Sequence, residues 1–277
     1  MTAGALHVDL IGDPAGRTRV ARLVQQFPQR VTAPMYLDAD DPGRAYLCVQ
    51  NPSAGVFPGD RLSTRVSAGP GTRLYLTSQS ATQVFAPHAA SADDVARADF
   101  DFHVADGAVV EYVPKTVIPQ ASSRYRQQTA VSVETGGVFI GWESVAAGRI
   151  GHGERFRYQS YDLRTTVRCD DAVVARERTL LCPTTTDVTG AGMLGGYDYF
   201  AVMTVVAPGS AVTGLIETLR AAVTDEALCG VSALPGDAGA TVRMLAHRAP
   251  VLAAAEQALR TAAKCALARL SEPMVRM

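Results

Sequence analysis

Arg61-Leu62-Ser63-Thr64-Arg65-Val66-Ser67-Ala68-Gly69 alternates and then turns. From Arg61 to Val66 the apolar side chains fall on one face only, the period of a half-buried β-strand. Asp99-Phe100-Asp101-Phe102-His103-Val104 repeats the pattern. Gly137-Val138-Phe139-Ile140-Gly141-Trp142 is more continuously apolar and fits a strand covered on both faces. Turn signals such as Gly12-Asp13-Pro14, Asp41-Pro42-Gly43, Asp106-Gly107 and Gly136-Gly137 punctuate the first 200 residues. A weak repeat, V-x-x-G, ends strand-like segments at Gly69, Gly107 and Gly136, and Val167-Arg168-Cys169-Asp170 is a fourth copy with aspartate at the turn. The intervals are 38, 29 and 34 residues. Glycine and aspartate tolerate the positive φ of a tight turn, so this is a turn repeat. Stacked units of this kind make layered β-sheets or a solenoid-like body, although the uneven spacing argues against a strict solenoid.

After about residue 208 the pattern changes. Helical spacing over roughly residues 211–227 places Val212, Leu215, Ile216, Leu219, Ala222 and Val223 on one face, with Ser210 before it as a cap and Cys229-Gly230 as the stop. Val231 to Leu245 reads as a hairpin around Pro235-Gly236-Asp237. A last helix runs from about Pro250 to Leu270, with Leu252, Ala255, Leu259, Ala262, Ala266 and Leu270 as its apolar stripe. The expected fold is therefore mainly β with a small α+β C-terminal part: layered, solenoid-like sheets plus two helices in a single domain, with a β body over 1–208 and a helix-hairpin-helix element over 209–277.

Composition excludes several classes. The chain has 277 residues and a formal net charge of -1, which argues against nucleic acid as the main partner. Positive charge is almost all arginine, since Lys115 and Lys264 are the only lysines. The five cysteines, Cys48, Cys169, Cys182, Cys229 and Cys265, form no C-x-x-C and no paired framework, so reduced thiols are expected. The N-terminus shows no signal-peptide pattern and no run of apolar residues reaches membrane-spanning length, so a cytoplasmic protein is expected.

No enzyme signature emerges. Gly190-Ala191-Gly192-Met193-Leu194-Gly195 matches G-x-G-x-x-G, but a strand-like run follows where a dinucleotide site needs a helix. There is no P-loop, no G-x-S-x-G and no H-E-x-x-H. His7, His88, His103, His152 and His247 lie far apart, and only His152-Gly153-Glu154-Arg155 gathers several polar groups at a turn. The densest uncharged polar cluster is Leu76-Thr77-Ser78-Gln79-Ser80-Ala81-Thr82-Gln83, whose hydroxyls and amides need partners if they are buried.

Four segments carry a resemblance. Asn51 to Arg61 resembles the glycine-rich segment, ending in Gly-Asp, of the UreD family of urease accessory proteins, in the form called UreH. Leu76 to Phe85 resembles that family's L-T-S/T-Q-x-A-T-K-V-Y segment. Glu111-Tyr112-Val113-Pro114 with Val117-Ile118-Pro119, and Gly148 to Phe156, resemble two further family segments, in the family's order. The sequence departs from the pattern at Ala54-Gly55, at Pro58-Gly59-Asp60 and at Gln83.

The resemblance implies a non-catalytic scaffold that binds UreF and the GTPase UreG, docks on apo-urease and assists nickel insertion. It also implies a heterocomplex, with a dimer of heterotrimers as one form. Nickel would be cargo in transit through an internal polar passage, with no tightly bound cofactor and no stable metal site. A conduit must release what it admits, so carboxylates, hydroxyls and amides suit it better than a thiolate–imidazole cage. At or beside the family segments stand Asp60, Thr77, Ser78, Gln79, Glu111, Glu143 and Glu154. Passage lining is one reading of them. The other is that Asp60 and Glu154 satisfy turn backbone and arginines. Two alternatives to the scaffold are a β-solenoid carbohydrate-active enzyme using Glu111, Glu143 and Glu154 as acid and base, and a generic β interaction module with no metal role.

Overall fold

The alternation of residues 61–68 is one strand of one layer: Arg61 and Arg65 are exposed while Leu62, Thr64, Val66 and Ala68 are buried. The computed structural model describes residues 2–53, 55–87, 95–190, 192–210 and 212–271, the last segment with side chains to 267. Ala54, His88, Ala191, Ala211 and the Leu270 side chain lie outside the described residues.

In chain order the strands begin β1 (Ala3–Gly12), β2 (Thr18–Gln26), β3 (Arg30–Val31), β4 (Ala45–Gln50), β5 (Gly55–Val56) and β6 (Arg61–Ala68). Next come β7 (Arg73–Ser78), β8 (Thr82–Val84), β9 (Ala96–Val104), β10 (Val109–Val113), β11 (Val117–Pro119) and β12 (Arg124–Val133). The series closes with β13 (Val138–Ala146), β14 (Ser160–Cys169), β15 (Ala172–Leu181), β16 (Tyr199–Val206), β17 (Leu228–Ala233) and β18 (Gly239–Ala246). The helices are α1 (Val212–Ala221) and α2 (Ala249–Ser271).

Two sheets stack. Sheet A runs β15-β14-β12-β9-β6-β1-β2, and sheet B runs β17-β18-β16-β13-β10-β7-β4-β3, with β5, β8 and β11 attached to it. The centre of each sheet is parallel, because the chain leaves sheet A after β6, β9 and β12 and crosses to sheet B as β7, β10 and β13. The sheets are therefore layered by coiling, as the repeat implied. The inward row Val66, Phe102, Val131 and Val167 lies in register across four strands.

The turn repeat is real but its column shifts. Gly71, Gly107 and Gly136 are the stacked positive-φ residues, at +67°, +66° and +88°, and Gly69 is not among them. Gly71 N–H donates to the Asp106 carbonyl at 3.1 Å and Gly107 N–H to the Gly136 carbonyl at 3.3 Å. The positive φ is what calls for glycine here, since a Cβ at Gly71 would meet nothing within 4 Å. The fourth copy behaves differently: Asp170 and Asp171 both take positive φ and fold β15 back antiparallel to β14 within sheet A.

Sheet B is covered on both faces. β13 is buried along almost all of its length, as its continuous apolar run implied. Leu215 and Leu219 of α1 and Leu252, Ala255, Leu259 and Ala263 of α2 pack with Ile140, Trp142, Met203 and Val242 on the face away from sheet A. Helix α1 ends at Ala221, short of the expected 227, and Cys229-Gly230 stops no helix. Both residues belong to β17, where Gly230 pairs with Arg243 of β18. Pairing with a neighbouring strand outweighed local helical spacing. The hairpin around Pro235-Gly236-Asp237 stands as read, with its strands at Leu228–Ala233 and Gly239–Ala246. Among the described residues no helix is long and apolar enough to cross a membrane.

Candidate functional site

Between the two sheets the core is not uniformly apolar. One cluster gathers Leu6, Val8, Leu76, Phe102 and Val131. Another, toward the opposite end of the strands, gathers Val84, Ala98, Tyr158, Tyr161 and Leu163. Polar side chains lie between them. The parity of β12 explains how they arrive: Tyr125, Gln127, Thr129 and Val131 are buried in alternation, so Gln127 and Thr129 occupy core positions that an ordinary strand would fill with aliphatics.

Glu143 of β13 is the centre of this seam. It is buried, and Gln127 Nε2 and the Thr129 hydroxyl (2.8 Å) donate to one of its oxygens. The Thr165 hydroxyl of β14 stands 3.4 Å from the other. Tyr125 Oη donates to Gln127 Oε1 at 3.0 Å and extends the network. No described arginine or lysine pairs with Glu143. Burial therefore dominates and pushes its carboxyl up to about 7, against the pull of the hydrogen bonds from Thr129, Thr165 and Gln127. Beyond Thr165 the seam reaches the sheet edge at Glu177, which pairs with Arg243 at 2.9 Å.

Two cavities follow the seam. The larger, about 90 Å³, is lined by Gln29, Thr64, Thr77, Ser78, Gln79 and Tyr125 among others. The smaller, about 40 Å³, is lined by Glu143, Gln127, Ser144 and Lys115 among others. They share Thr82, Phe100, Tyr112, Pro114 and Tyr125 as walls. Each is roomy enough and polar enough for water. The Gln29 amide lies 2.8 Å from the Thr64 hydroxyl. The Thr77 hydroxyl donates to the Val113 carbonyl at 2.7 Å, and Ser78 Oγ accepts from Lys115 N–H at 2.8 Å. Gln79 N–H donates to the Val49 carbonyl at 2.9 Å.

Of the seven residues singled out from sequence, Thr77, Ser78, Gln79 and Glu143 thus line this pair of cavities, whereas Asp60, Glu111 and Glu154 line neither. Asp60 is buried and accepts from the backbone N–H groups of Thr2 (2.8 Å) and Phe57 (3.0 Å), closing the turn before β6. Glu154 accepts from Nε and Nη2 of Arg149 and from the Ala121 N–H (3.0 Å). The Arg149 pair holds its carboxyl down at about 2. Glu111 points to the helix side of sheet B, fully buried. It meets Arg44 of the segment before β4, and Arg260 (3.1 Å) and Lys264 (3.5 Å) of α2. Arg44 and Arg260 also stack over the Tyr75 ring.

Glu111, Glu143 and Glu154 therefore occupy three separate environments and do not assemble as an acid–base pair. Among the described residues no three His, Cys, Asp or Glu side chains converge as a metal cluster. His103 contacts Glu134 at 3.4 Å, and His247 stacks on Tyr197. Sequence reading missed Gln127, Thr129 and Thr165. Its available signal was parity: polar residues two and four positions before Val131 share that residue's face.

Comparison with known proteins identifies relatives of the chain. The sequence model described as UreD urease accessory protein matches residues 2–277. The chain is 46% identical over 263 residues to a urease accessory protein UreD of Mycolicibacterium gilvum, covering 94% of this chain and 93% of that one. It is similar to a urease accessory protein UreD of Cenarchaeum symbiosum, 32% identical over 84% of this chain and 81% of the relative. Urease accessory protein UreD 2 of Streptomyces griseus is 32% identical over 94% and 89%.

Proposed function

The chain belongs to the UreD family of urease accessory proteins, and from that premise we propose that it acts in urease maturation as a non-catalytic scaffold in the cytoplasm. In this reading it forms one folded unit, binds UreF and the GTPase UreG, docks on apo-urease and assists nickel insertion. The chain has no P-loop of its own, so the nucleotide chemistry belongs to a partner. Nickel is cargo here, handed through and not retained.

One observation carries the nickel part of the proposal: a polar seam with adjoining cavities crosses an otherwise apolar inter-sheet core. Unnecessary polar groups in a core cost stability, because each must be matched by a partner. Hydroxyl, amide and carboxylate oxygens offer a divalent ion exchangeable ligands, which suits transit better than storage. Thr77, Ser78, Gln79 and Glu143 are the natural lining. Gln127, Thr129 and Thr165 join them, since they hold the Glu143 carboxylate. Asp60, Glu111 and Glu154 serve the passage indirectly, by holding the turn, helix and loop around it.

Glu143→Gln tests this. It keeps the volume of the side chain and one acceptor oxygen but removes the charge. Co-expressed with urease and the other accessory proteins, the variant is expected to assemble as the wild type does, while the nickel content of purified urease falls several-fold. Normal nickel content in an assembled complex would sink the passage role for Glu143.

A further inference from the structure

Sheet A has a second face. On β12 the inward set is Tyr125, Gln127, Thr129 and Val131, so the outward set includes Arg126, Gln128 and Ala130. Sheets with a parallel centre are ordinarily covered on both sides. Here α1 and α2 pack on sheet B, and the outward side chains of sheet A are exposed or half-buried except Asp162.

At the β14–β15 end of this open face, three arginines pair with one aspartate, and Arg176 and Arg168 stand further along the same two strands. Register sets Arg126 beside Asp162, Arg164 beside Arg178, and Thr166 beside Arg176; Arg168 is outward two residues further along β14. Asp162 receives Arg164 at 2.8 Å and Arg178 at 2.9 Å, with Arg126 at 3.4 Å. Burial opposes ionisation of Asp162, but Arg164 and Arg178 outweigh it and hold the carboxyl down at about 2. One carboxylate neutralises one guanidinium. Arg168 and Arg176 pair with no carboxylate among the described residues, and like charges side by side on a sheet are unfavourable without counter-charge. The excess is local, because the whole chain carries a net charge of -1. Val173 and Leu180, 41% and 43% exposed on the edge strand β15, add apolar surface beside the arginines.

We infer that this arginine patch docks on a carboxylate-rich surface of the urease apoprotein. The inference rests on the docking role proposed above and assigns it a face. Guanidinium forks match carboxylates in pairs. A chain with almost no net charge gains little from the long-range field of a nucleic acid, so short-range pairing with a folded acidic surface is what the patch offers. Exposed leucine and valine at the rim favour a protein surface for the same reason.

The experiment compares binding of the full chain, co-purified with its accessory partners, to immobilised apo-urease. The double variant Arg168→Glu/Arg176→Glu leaves the Asp162 network intact. It is expected to bind at least about tenfold more weakly and with a shallower salt dependence. Arg22→Glu, at the far edge of the same sheet, is expected to bind as the wild type. Equal binding by the double variant overturns the assignment. So does equal weakening by Arg22→Glu, which would make the effect one of overall charge, or displacement of apo-urease by an equimolar short DNA duplex. If the unsubstituted chain fails to bind apo-urease, the docking role itself falls and takes this face with it.

Discussion

Sheet B buries one carboxylate on each of its faces, and the two are handled in opposite ways. Glu111 pairs in register with Ile140 and shares that residue's helix-facing side. There it meets Arg44, Arg260 and Lys264. Glu143 lies on the side facing sheet A and meets only neutral donors. A buried charge surrounded by cations is a clamp: it fixes α2 and the segment before β4 to the sheet. A buried carboxylate held by an amide and hydroxyls is poised near neutrality and can change its protonation. Position on a sheet face therefore separates the cation-paired acid from the one left to neutral donors more clearly than residue type does.

The comparison breaks first at Glu111. Glu111→Ala leaves three cations at a buried site, and such losses run to about 3–5 kcal/mol. Thermal or urea unfolding at pH 7 should show that loss, together with early exposure of α2 in hydrogen exchange. A cost below about 1 kcal/mol would mean the clamp is idle.

Glu143 sharpens it next. Its folded carboxyl titrates at about 7 against an ordinary value of 4.5. The unfolded state therefore releases its proton first as pH rises. The stability linked to this group is fully present below 4.5, declines between 4.5 and about 7, and is lost above that. The whole difference is on the order of 3 kcal/mol. Glu143→Gln should remove this component, so its stability relative to wild type should rise from pH 5 to pH 8. Parallel pH profiles for the two proteins would show that the wild-type carboxyl is ionised throughout.

The smallest effect is expected at Glu154, whose carboxyl stands at about 2 and is paired with a half-exposed arginine. The sign reverses here: its contribution is present above 4.5 and lost as pH falls toward about 2. Solvent screening limits Glu154→Gln to about 1 kcal/mol at pH 7. A loss as large as that of Glu111→Ala would mark the Gly148–Phe156 loop as a second clamp.

Much of this was legible in the sequence. Period-two alternation in residues 61–66 and 99–104 identified two strands of sheet A, and the continuous run at residues 137–142 identified a strand covered on both faces. The turn repeat pointed to stacked coils, though it could not choose Gly71 over Gly69 as the positive-φ residue, because both are glycines in one turn. The family was legible too, since its segments keep order along the chain.

The site was legible only in part. Thr77, Ser78, Gln79 and Glu143 could be singled out one by one, but not the fact that two cavities join them. The α1 boundary failed for a related reason: whether Cys229-Gly230 ends a helix or enters a strand depends on β18, which lies further along the chain.

By itself the sequence determined periodicity, turns and family, because each is written in neighbouring residues through backbone geometry and side-chain size. Only the tertiary structure decided which buried carboxylate is neutralised by cations and which is left to neutral donors. Arg260 reaches Glu111 across 149 residues and Thr165 reaches Glu143 across 22. Electrostatics depends on distance in space, and that distance is set only when the sheets stack.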